Sequence, residues 1–95
     1  MKARFFSVAN KELAEATLFY AKESASVADR FVIEVGDAIS EIEKNPTRYR
    51  VYRKDIRVKL VAGFPYSIYY KVKAKEPLIV PIAHQSRKPN YWARR

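Results

Sequence analysis

Arg57 and Lys59 stand two positions apart, and Tyr69, Lys71 and Lys73 repeat that spacing a dozen residues on. In a strand, alternate positions share a face, so each run presents its cations on one side. If the apolar neighbours of both runs meet the same inner layer, all five groups point outward together. Cations with an interleaved tyrosine suit phosphate contact plus base stacking. His84, the single histidine, adds a group whose ordinary pKa of about 6.5 makes it useful near neutral pH. It also fits a hydrogen-bonded structural role just past a strand. Carboxylate chemistry has less material: from residue 46 onward the only acids are Asp55 and Glu76, too few and too far apart for a metal cage. No metal or cofactor is expected.

The charge is divided along the chain. Residues 1–45 hold six Lys/Arg and eight Asp/Glu, a net of −2, and residues 46–95 hold thirteen against two, a net of +11. A basic half implies a surface that meets something anionic, such as nucleic acid, a ribosome or an acidic partner. With 48% apolar residues, the chain is too hydrophobic for a disordered basic tail. Its 95 residues suit one domain with a single core. Cysteine is absent, which excludes disulfides and thiolate metal sites. No apolar run approaches the ~20 residues of a membrane span, and Met1–Phe6 lacks a secretion signal. A cytoplasmic location without membrane association is expected.

The elements that must hold these groups follow from periodicity. Arg4–Val8 reads as a short strand. Asn10 suits an N-cap, and Leu13, Ala14, Thr17, Leu18 and Ala21 predict a helix over about 10–24. Ser26 and Asp29 resemble a capping box opening a second helix, whose stripe is Ala28, Phe31, Val32, Val35, Ile39 and Ile42. Asn45-Pro46 ends it. The short gap between the helices predicts a hairpin. Tyr49 and Tyr52 with Arg48, Arg50 and Arg53 form either a solvated connector or a second nucleic-acid patch. Period two then marks Ile56–Leu60, Tyr66–Lys73 and Leu78–His84, separated by turns at Gly63-Phe64-Pro65 and Glu76-Pro77. Pro81 cannot donate to a ladder, so it implies an edge or a bulge. The order predicts an α+β fold, β-α-α-β-β-β, with an antiparallel sheet and an N-terminal helical hairpin on one face.

Several pieces in this order resemble the RelE/ParE toxin superfamily of bacterial type II toxin–antitoxin modules. They are Ala28-Asp29-Arg30-Phe31, Asn45-Pro46, the strand Phe64-Pro65-Tyr66-Ser67-Ile68-Tyr69-Tyr70, and the ending His84-x-x-Arg87-x-Pro89-x-Tyr91-Trp92-x-x-Arg95. The resemblance covers nearly the whole chain as a single toxin domain. It implies a growth-arresting toxin, silenced by a co-encoded antitoxin whose acidic C-terminal segment would suit the basic half. Its RelE-like branch cuts mRNA on the ribosome without a metal. Its ParE-like branch poisons DNA gyrase and has no known hydrolytic site. By that likeness Arg57, Lys59 and Arg87 would stabilise a phosphorane, and Tyr91 or His84 would move protons. Tyr69, Lys71, Lys73 and Lys88 would contact nucleic acid. Ser67 stands where RelE-like toxins carry a further arginine, and the spacing from Arg87 to Tyr91 is shorter. The lean is toward ribosome-dependent mRNA cleavage; the alternatives are gyrase poisoning, a degenerate toxin or a plain nucleic-acid-binding module.

Overall fold

A computed structural model describes residues 3–5, 7–73 and 76–85. Strand β1 (Arg4–Phe5) leads into helix α1 (Ser7–Glu23) and helix α2 (Ala25–Lys44). Strands β2 (Val51–Arg53), β3 (Ile56–Leu60), β4 (Tyr66–Lys73) and β5 (Glu76–His84) follow. The sheet order is β1-β5-β4-β3-β2. This is the α+β class the periodicity predicts, with two departures. The connector contains a strand, β2, paired antiparallel with β3. The first strand runs parallel to the last, with Arg4 opposite Leu78 and Phe5 opposite Ile79, so the sheet is mixed.

Helix α1 starts three residues before the predicted Asn10 cap. The reason is packing: Ala9, fully buried, extends backward a stripe that continues through Leu13, Ala16 and Tyr20. Ser24 alone separates the helices, with φ −169° and ψ 134°. Its N–H closes α1 on the Tyr20 carbonyl, and its own carbonyl accepts from Ala28 to open α2. The cap position is therefore Ser24 rather than Ser26, and the two serine hydroxyls lie 3.0 Å apart. Asn45 follows the last residue of α2 and donates to the Glu41 carbonyl, while Pro46 prevents another turn.

Phe31, Val35, Ala38 and Ile42 present one face of α2 to Ile68, Tyr70, Ile79 and Ile82 of the sheet. Each large side chain taken wholly out of water contributes about 1.5–3 kcal/mol. Tyr20, Phe31, Phe64 and Tyr66 form a ring cluster with neighbouring centroids 5.0–6.2 Å apart. Pro81 sits in central strand β5, which is permitted by a bulge. Ile82 opposes Ile68 and Ile79 opposes Tyr70, so Val80 and Pro81 share the place opposite Tyr69.

Candidate functional site

Strand β3 does not turn its apolar residues toward the helices. Arg57 stands opposite Tyr70 and Lys59 opposite Ile68, and directly opposed residues share a face. Both cations therefore lie on the helix side, while Tyr69 opposes Val58 and Lys71 opposes Ile56 on the other. The expected single face of five groups is thus two faces. The cause is the register: the core positions of β4 are Ile68 and Tyr70, and these meet Lys59 and Arg57.

On the helix side both cations have partners in the scaffold. Arg57 Nη1 donates to the Tyr49 carbonyl at 2.7 Å. Lys59 Nζ is 3.7 Å from Glu41 Oε1 and 4.8 Å from the Tyr49 ring centroid, within cation–π range. The buried Tyr70 donates its hydroxyl to the Pro46 carbonyl at 2.7 Å. Burial pushes the Tyr70 pKa up to about 12; the Arg57 charge opposes the rise and Tyr49 adds to it. Together these groups pin residues 46–49 against β3 and β4. A cleft of about 410 Å³ opens beside them, lined by Tyr49, Arg50, Val58, Lys59 and Leu60.

His84 belongs to another neighbourhood. Its ring lies 5.1 Å from that of Tyr66 at 80°, and it lines a cleft of about 210 Å³ with Glu12, Glu15, Phe19 and Tyr66. Glu12 is almost wholly buried and accepts the Ile82 N–H at 3.3 Å, covering the edge of β5 that β1 leaves open. Lys59 is two strands away from β5 and opposite Ile68, whose partner Ile82 precedes His84 by two residues. Strand spacing and rise then put the Lys59 and His84 Cα atoms on the order of 12 Å apart. Of the residues expected to work together as one catalytic set, Lys59 lines one cleft and His84 the other.

The outer face holds Tyr69 and Lys71, joined by Arg50 and Tyr52 from the segment before β3. The Tyr52 and Tyr69 rings meet at 4.9 Å and 63°. The Arg50 carbonyl accepts the Val58 N–H, which puts Arg50 beside Val58 and near Tyr69. Burial raises the Tyr69 pKa, and Tyr52 raises it further, while a Ser67 hydrogen bond and the Arg50 charge lower it. The signal available in sequence was the alternation of Arg50 and Tyr52 around Val51. Lys73 also lies on this face, but it opposes Glu76. Arg87, Lys88 and Tyr91 lie outside the described residues. Among the described residues, no group of three or more His, Asp or Glu could hold a metal ion, and no helix is long and apolar enough to cross a membrane.

Two helices laid on a sheet whose last strand pairs with its first define the class of fold. Residues 4–89 match the family described as the ParE toxin of type II toxin–antitoxin systems, parDE. That match spans most of the chain, which belongs to the ParE toxin family of the RelE/ParE superfamily. A solved chain titled as the chromosomal ParDE toxin–antitoxin system from P. aeruginosa has the same fold, with a TM-score of 0.77 at 17% identity. The likeness covers 88% of this chain and 95% of that one. No curated protein matches the chain in sequence.

Proposed function

We propose that this member of the ParE toxin family arrests growth by poisoning DNA gyrase, with no hydrolytic step of its own, and acts in the cytoplasm. The observation that carries this reading is the engagement of Arg57 with the Tyr49 carbonyl and of Lys59 with Glu41, while His84 lines a different cleft from Lys59. Metal-free RNA cleavage needs a base, an acid and cations around one phosphate. Among the described residues, two cations with scaffold partners and a histidine whose Cα lies on the order of 12 Å from that of Lys59 do not supply that arrangement. A cognate antitoxin is the natural silencing partner, and an acidic segment would find the net +11 half of the chain complementary.

The test is expression of this gene alone, followed by gyrase-linked DNA breaks, the SOS response and mRNA 5′ ends. Breaks and SOS induction with intact mRNA are expected. New 5′ ends inside translated codons would overturn the reading.

One observation favours ribosome-dependent mRNA cleavage as the second reading. The cleft beside Lys59 combines two cations and a tyrosine, Lys59, Arg50 and Tyr49, around space enough for a nucleotide. In that case Arg57, Lys59 and Arg87 would stabilise the phosphorane, His84 or Tyr91 would move protons, and Lys59→Ala would abolish arrest.

A further inference from the structure

The two layers of the molecule differ in charge. Eight of the ten acids lie within α1 and α2, and the remaining two are Asp55 and Glu76. Asp55 sits at the β2–β3 turn, and Glu76 is 3.7 Å from Arg4 and opposite Lys73. The side of the sheet turned away from the helices is therefore a cationic surface with few competing carboxylates.

We propose that this outer face is a contact surface for single-stranded DNA, built from Arg50, Tyr52, Tyr69 and Lys71. Arg50 is exposed, and the other three are partly exposed. The two tyrosine rings meet edge to face rather than stacking, and the partly exposed Tyr52 is the ring that would stack on a base. Arg50 and Lys71 flank the pair, one beside Val58 and the other opposite Ile56, where they can meet successive phosphates. Stacking on a tyrosine requires an unpaired base, because bases in a duplex already cover one another. The surface therefore suits a strand rather than a double helix. Lys73 is left out because its cross-strand neighbour is Glu76. The choice of DNA rests on the gyrase reading, since DNA is that enzyme's substrate.

The test is fluorescence anisotropy of a labelled twelve-nucleotide oligothymidylate with the full chain, across a range of salt. Wild-type binding should weaken with salt. Arg50→Ala should lower the slope of log K against log salt by about 0.7, the value of one phosphate contact to a single strand. Tyr52→Ala should weaken binding roughly 5- to 150-fold, the loss of one stacked base, while Tyr52→Phe should retain it. Lys22→Ala, on the helical layer, should change nothing. Circular dichroism of each variant separates lost binding from lost fold. Absence of binding, indifference to Arg50→Ala and Tyr52→Ala, or tighter binding of the matching duplex or RNA would each overturn the proposal. A parallel gyrase cleavage assay separates the two readings. Intact gyrase poisoning without oligonucleotide binding sinks the surface alone, and oligonucleotide binding without poisoning sinks the choice of target.

Discussion

The Tyr70 hydroxyl donates a 2.7 Å hydrogen bond to the Pro46 carbonyl, twenty-four residues earlier in the chain. This bond ties the middle of the sheet to the end of α2, and it gives the fold an alkaline limit. Folding raises the Tyr70 pKa from 10.0 to about 12, chiefly through burial. The unfolded chain thus releases this proton first as pH rises, and stability falls with pH between about 10 and 12. Below pH 10 the contribution is complete. Urea unfolding midpoints measured from pH 8 to 12 should decline more steeply for wild type than for Tyr70→Phe, which has no proton to lose. At neutral pH the same variant should be less stable by about 0.5–1.5 kcal/mol, the net value of one hydrogen bond.

Arg57→Ala separates scaffold from chemistry. Removing its charge-assisted bond to the Tyr49 carbonyl should cost about 1.5–3 kcal/mol, read as a lower Tm. If gyrase is the target, induction of the variant at a low growth temperature should still arrest growth. Arrest lost while circular dichroism reports a folded protein would instead favour the nuclease.

Glu12→Ala removes the acceptor that covers the Ile82 N–H. A buried donor stripped of its partner costs about 1–3 kcal/mol. Amide exchange should quicken at Ile82 more than at Ile68, whose ladder on β4 is untouched.

The two glycines should respond with opposite signs. Gly36 lies exposed in α2, and an added Cβ would meet nothing within 4 Å. Gly36→Ala should therefore stabilise by about 0.5–1 kcal/mol. Gly63 holds φ at +79° in the β3–β4 turn, where an L-residue costs about 1–2 kcal/mol, so Gly63→Ala should destabilise. Thermal unfolding of the pair decides both.

The parts of this fold legible in sequence are those where one period dominates. Phe31, Val35 and Ile42 fix the buried face of α2, and Tyr66, Ile68, Tyr70 and Val72 fix that of β4. Strand β3 is different: Ile56 and Val58 alternate just as cleanly, yet they are buried on the outer side. A two-residue period states that two faces differ without stating which meets the helices. Only the pairing with β4 decides, and pairing is a property of two segments. Strand β2 escaped because three residues between Arg50 and Lys54 carry too little alternation to register. The expected catalytic set rests on likeness to a family, and of its members Lys59 and His84 line separate clefts. The cations of the outer face were visible in part: Tyr69 and Lys71 by alternation, Arg50 and Tyr52 only once β2 joined the sheet.

The pairing of Arg4 with Leu78 also governs timing. During synthesis α1, α2 and the β3–β4 hairpin can form from neighbouring residues, but β1 has no partner until the chain has grown seventy-four positions further. Closing so long a loop makes this a late and slow event. β5 must join β4 before β1 can use its free edge. The toxin therefore spends most of its birth as an unfinished sheet, and the last strand made is the one that admits the first.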